Sequence, residues 1–86
     1  MTTLTLLTQQ DCVWCDDAKT VLAELSTEFD LQIEEVDLNS DRGQYLAADH
    51  HLMFTPGLIA QDRLIAHGRL SKRALRRDLT RLTNTD

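Results

Sequence analysis

The chain has two cysteines, Cys12 and Cys15, separated only by Val13 and Trp14. Three positions apart is about one helical turn, so the two sulfurs can close a disulfide and open it again. Before them, Thr3-Leu4-Thr5-Leu6-Leu7-Thr8 reads as a strand; after them, Ala18, Val21, Leu22, Leu25 and Phe29 recur at helical spacing. Strand, turn, Cys-x-x-Cys and helix is the context that gives the pair redox meaning. The first sulfur then lies at a helix N-terminus, where unpaired N–H groups and the helix dipole favour the thiolate. Cys12 is therefore the expected nucleophile, and Cys15 the thiol that resolves the mixed disulfide. Asp11, Asp16 and Asp17 oppose the thiolate, with Lys19 the only nearby cation in sequence. These acids are expected to keep Cys12 from the extreme acidity of strong oxidants.

The competing chemistry is metal binding. Two thiolates supply half of a tetrahedral zinc site, and His50, His51 or His67 could complete it. On a helix, however, His50 and His51 diverge by about 100°, and their spacing from the cysteines matches no familiar finger. An iron–sulfur cluster bridged between two chains would need only Cys12 and an external thiol. Redox chemistry is the preferred reading, a metal or cluster-binding module is the alternative, and no residue is assigned as a metal ligand. All three histidines are expected as surface or helix-end polar groups. No glycine-rich phosphate loop or dinucleotide fingerprint occurs, so no cofactor is expected and the electrons arrive through thiols of another molecule.

The elements that must position the cysteines follow from the rest of the pattern. Residues 31–38 read as a second strand whose apolar positions change parity, from Leu31 and Ile33 to Val36 and Leu38, across Glu34-Glu35. This break suits an edge strand carrying a bulge or charges that discourage pairing with another molecule. Asn39-Ser40-Asp41 starts a short second helix bearing Tyr45, Leu46 and Ala48 despite Gly43, and the segment running to Pro56 ends it. Leu58-Ile59-Ala60 and Leu64-Ile65-Ala66 form an antiparallel hairpin. Ser71 caps a last helix with Leu75, Leu79 and Leu82 on its buried stripe. Tyr45, Phe29 and Phe54 are expected in the core or a pocket wall, and Trp14 on the accessible loop, where it can stack on an incoming chain.

Composition excludes other classes. An 86-residue chain supports one compact domain, here residues 1–82 with 83–86 as a loose tail. The clustered cysteines are unlike a secreted disulfide scaffold, and no run approaches the ~20 apolar residues of a membrane span. The first residues lack the basic flank and apolar segment of a secretory leader, so a soluble, cytoplasmic monomer is expected, without membrane or nucleic-acid partners. Residues 1–62 carry twelve acidic against two basic side chains, and residues 63–86 carry seven basic against two acidic. A basic last helix could dock on an acidic partner; the plainer reading is that Arg76, Arg77 and Arg81 offset Glu24 and Glu28 of the first helix.

With the motif and element order in hand, the chain resembles the thioredoxin-fold superfamily, most closely its small glutaredoxin-like members. The resemblance rests on Cys12-Val13-Trp14-Cys15 after the first strand, Thr55-Pro56 before the third, and His67-Gly68-Arg69-Leu70-Ser71-Lys72 entering the last helix. It implies an α/β fold of order β-α-β-α-β-β-α, a four-stranded mixed sheet flanked by three helices. It also implies thiol–disulfide oxidoreductase activity on a disulfide-containing protein, with an external thiol donor. By position, Pro56 would follow a cis peptide bond and face the cysteines, and the Thr55 backbone would pair with substrate. Thioredoxin has an aspartate six positions before its first cysteine; here that position is Leu6, and only Asp16 and Asp17 offer themselves as proton acceptors for Cys15. The glutaredoxin Gly-Gly turn is reduced to Gly68, and acids flank the motif. Glutathione, with two carboxylates, is therefore not expected as the preferred reductant, although Lys72 and Arg73 could hold one of them.

Overall fold

A computed structural model describes residues 2–53 and 55–83. The strands are β1 (Thr2–Thr8), β2 (Leu31–Asp37), β3 (Gly57–Ala60) and β4 (Arg63–His67). The helices are α1 (Val13–Leu25), α2 (Asp41–Asp49) and α3 (Lys72–Thr83). The order is the expected β-α-β-α-β-β-α, and α3 reaches one residue into the expected tail. The sheet runs β2-β1-β3-β4. β1 pairs in parallel with β2, from Thr2 opposite Leu31 to Thr8 opposite Asp37. On its other side it pairs antiparallel with β3, from Leu4 opposite Ala60 to Leu7 opposite Gly57. A central strand must be apolar on both faces, and β1 supplies Leu4 and Leu6 to one core and Leu7 to the other.

The larger core joins Leu4 and Leu6 to Ala18, Leu22 and Leu25 of α1 and to Leu75 and Leu79 of α3. The smaller gathers Leu7, Val36 and Ile59, flanked by Leu46, Leu52 and Leu64. These two layers explain the parity change in β2. Leu31 and Ile33 pack on the larger core and Val36 on the smaller, while the pairing with β1 runs without interruption. β2 is an edge strand, as expected, but it carries no bulge; the register shift falls in the hairpin, between Leu58 and Ile59. Glu34 and Glu35 are also more than solubilising charges. Arg42 pairs with Glu34, and Glu35 accepts from Thr8 Oγ1 at 2.9 Å and meets Lys19 Nζ at 3.0 Å.

Three local expectations change. Phe29 packs against the larger core from beyond α1, which stops at Leu25. Tyr45 is 68% exposed rather than buried; α2 approaches the sheet through buried Gly43 instead, where an added Cβ would lie 2.0 Å from the Asp37 carbonyl oxygen. Pro56 does not end α2. The helix closes earlier, where His51 adopts a left-handed φ of 54° and the His51 and Leu52 N–H groups donate back to Ala48 and Ala47. His50 stands at the end of α2, as expected of a helix-end polar group, with a side chain only 8% exposed. Phe54 lies outside the described residues.

Charge on α3 is partly absorbed by α1 and the turn that follows it. Arg76 grips Glu28 with two hydrogen bonds of 2.8 Å, and Lys72 rather than Arg81 reaches Glu24, at 3.6 Å. Arg77 lies 4.0 Å from Asp78 on its own helix.

Candidate functional site

β1 ends at buried Thr8, and the chain turns through Gln9, Gln10 and Asp11, the last with a left-handed φ of 58°. Aspartate tolerates that conformation better than most side chains. The turn delivers Cys12 to the N-cap of α1 in an extended conformation, and its Sγ accepts the Cys15 N–H at 3.1 Å. Sulfur thus does what a serine or aspartate oxygen usually does at a helix start. One turn on, Cys15 is 1% exposed, on the same helix that sends Ala18, Leu22 and Leu25 into the larger core.

The second side of the site comes from the segment before β3. The Thr55–Pro56 peptide bond is cis, and Pro56 is buried. This places the Thr55 carbonyl oxygen 4.0 Å and the Thr55 hydroxyl 3.7 Å from Cys12 Sγ. Gly68 N–H donates to the Pro56 carbonyl at 2.8 Å and ties the segment to the turn after β4. Three of the five residues singled out in the sequence, Cys12, Cys15 and Thr55, are brought together, and buried Pro56 follows Thr55 in the same segment. Trp14, 49% exposed, stands on the rim with Val13.

The electrostatics separate the two thiols. Desolvation raises the Cys12 pKa, but hydrogen bonds from the Cys15 and Thr55 side chains and from the Cys15 and Trp14 N–H groups outweigh it. The net shift is downward from the ordinary thiol value. Burial pushes the Cys15 thiol up, and its hydrogen bond to Cys12 adds to the rise. Donors rather than carboxylates govern Cys12, so the opposition expected of Asp11, Asp16 and Asp17 is not among the principal causes. Asp16 and Asp17 are exposed, and neither is among the principal causes of the Cys15 shift.

Two features escaped the sequence. Gln9 Oε1 accepts the Thr55 hydroxyl at 2.9 Å across a separation that no local pattern reveals. Lys19, held by Glu35 first and affected by the charge of Cys15 as well, has its pKa raised. The sequence marks Lys19 as the cation nearest the motif, but nothing in it shows that Glu35 engages that side chain. A groove of about 520 Å³ runs beside the motif, lined by Asp11, Asp16, Lys19, Glu35 and Asp37 among others. Asp17 does not line it.

The sequence model of the glutaredoxin-like domain (DUF836) matches residues 3–80. The chain belongs to this glutaredoxin-like family. Among solved structures, the thioredoxin-like protein from Clostridium perfringens superposes with a TM-score of 0.78 at 18% identity, covering 95% of this chain and 71% of that one. A single-residue mutant of the thioredoxin from Halobacterium salinarum gives 0.75 at 20% identity, covering 99% and 77%. Glutaredoxin 1 from Francisella tularensis gives 0.58 at 14% identity, covering 99% and 100%. These likenesses show a thioredoxin-like fold for this glutaredoxin-like domain. No curated protein matches the sequence. Within the described residues, no helix is long and apolar enough to cross a membrane.

Proposed function

We propose that this glutaredoxin-like domain is a dithiol–disulfide oxidoreductase. The observation that carries the reading is the opposite tuning of the two sulfurs. Cys12 is half-buried, collects hydrogen bonds at the helix start and ionises more readily, while Cys15 is enclosed and holds its proton. The Cys12 thiolate attacks one sulfur of a substrate disulfide; that S–S bond breaks, and the first substrate thiolate leaves. Cys15 then loses its proton and attacks Cys12 Sγ. The Cys12–Cys15 bond forms, the mixed disulfide breaks, and the substrate departs with two electrons. An external dithiol restores the pair by the same exchange in reverse.

The rim supports a protein substrate. Val13, Trp14 and Met53 are 72%, 49% and 81% exposed, at the start of the helix that Cys12 caps and on the loop that leads to Thr55. Apolar surface at that position suits an extended chain whose backbone lies along Thr55. As donor we favour a protein dithiol over glutathione. The groove beside the motif is lined by Asp11, Asp16, Glu35 and Asp37, and its one cation among the described residues, Lys19, is already engaged by Glu35. A cytoplasmic, monomeric protein acting without membrane or nucleic acid completes the proposal. Among the described residues, no third ligating side chain joins Cys12 and Cys15 in a cluster.

Thiol trapping and mass spectrometry test the roles. With a disulfide-containing protein, Cys15→Ser is expected to accumulate a mixed disulfide through Cys12, and Cys12→Ser none. Equal trapping by both variants would remove the assignment.

A further inference from the structure

We propose that Asp49, His50 and Asp62 form a site for a zinc-class divalent cation that joins the end of α2 to the β3–β4 turn. His50 is the C-cap of α2, and the left-handed turn at His51 follows it directly. The side chain is 8% exposed, and its Nε2 is enclosed without a hydrogen-bond partner. A buried ring nitrogen left unpaired is costly, by about 1–3 kcal/mol. It therefore points to something that Nε2 binds.

What surrounds that nitrogen is acidic. Asp49 Oδ2 lies 3.7 Å and Asp62 Oδ1 3.8 Å from it, and the three atoms lie within 4.8 Å of one another. These separations are too long for hydrogen bonds. Ligand atoms around a tetrahedral zinc, with bonds of about 2.0–2.1 Å, stand about 3.3–3.4 Å apart. The two gaps to Nε2 narrow by the few tenths of an ångström required if Asp62 and Asp49 swing in, and their side chains, 92% and 49% exposed, have the freedom to do so. A neutral imidazole and two carboxylates carry a formal charge of two negatives, matching a dication. One nitrogen with two oxygens suits zinc and its neighbours; magnesium and calcium prefer oxygen-only shells.

The topology gives the cation a structural task. Asp62 follows Ala60, which pairs with Leu4 near the start of β1, whereas Cys12 lies beyond the far end of that strand. The site is thus remote from the thiols. It instead pins both ends of the stretch between residues 50 and 62, and that stretch carries Thr55 and Pro56.

The test uses the tag-free full chain with Cys12→Ser and Cys15→Ser, which removes competing thiolates. Zinc chloride titrated by calorimetry is expected to bind at one equivalent and to raise the unfolding temperature, whereas magnesium chloride at equal concentration does neither. Asp62→Asn, at an exposed turn position, and His50→Gln, of similar volume, are each expected to weaken zinc binding at least tenfold. Circular dichroism confirms that each variant is folded before titration. Absence of zinc binding, or binding that survives either substitution, overturns the proposal; an imidazolium resting between two carboxylates would give that result.

Discussion

The Thr55 hydroxyl lies 3.7 Å from Cys12 Sγ while donating its proton to Gln9 Oε1 at 2.9 Å. One hydroxyl has one proton to give, so Gln9 and the thiolate compete for it. As Cys12 ionises, rotation of that hydroxyl toward sulfur replaces the lost thiol proton with a donor. Thr55→Val keeps the shape and removes the donor. The Cys12 titration, followed by thiolate absorbance, is expected to move up, and alkylation at neutral pH to slow about fivefold, the equivalent of one hydrogen bond of about 1 kcal/mol. An unchanged midpoint would show that the Cys15 and Trp14 donors hold the thiolate alone.

Gly43 is the contact point between α2 and β2. An added Cβ would meet the Asp37 carbonyl oxygen at 2.0 Å and Leu38 Cα at 2.8 Å, and both are backbone atoms that cannot rotate away. Gly43→Ala is expected to lower stability by about 1–3 kcal/mol despite alanine's better helix propensity. Urea unfolding measures this, and a neutral or stabilising result would mean that α2 can stand further from the sheet.

Acid should weaken the fold through Glu28 and Glu35. Hydrogen bonding to Arg76 lowers the pKa of the first, and hydrogen bonding to Lys19, then to Thr8, lowers that of the second. Each folded carboxylate therefore protonates after its unfolded counterpart, whose ordinary value is 4.5. The stability they confer is fully present above that value and is lost as pH falls through the lower folded values. Both groups are largely exposed, so solvent screening keeps the effect modest. The expected observation is a fall in urea midpoint below about pH 4.5 that is shallower in Glu35→Gln, with no change between about pH 6 and 8 from these groups.

The sequence made the motif, the element order and the inward residues of α1 and α3 legible, because each rests on local spacing. What stayed hidden depended on which layer covers which face of the sheet. Val36 changes parity because a second core lies behind β2, and residues 31–38 alone do not say whether such a change means a bulge or a second covering helix. Tyr45 was expected inside because aromatic residues usually are, yet the close approach at Gly43 fixes the rotation of α2 and turns Tyr45 outward. His50 stands at a helix end as expected, but nothing in the local sequence signalled that its side chain is enclosed there. The Gln9–Thr55 hydrogen bond spans 46 residues, and no periodicity encodes it.

Among the described residues, the two faces of the sheet are unequally filled, with ten buried residues joined on the α1 and α3 side and three on the α2 side. The helix bearing both sulfurs is anchored in the fuller layer, so the protein's breathing falls unevenly. Partial openings that lift α2 from the sheet leave α1 seated, whereas freeing α1 requires its Ala18, Leu22 and Leu25 to leave the larger core. The dithiol is thereby insulated from the commonest fluctuations of its own scaffold: the chain can loosen at one side while the distance between its two sulfurs stays fixed at the other.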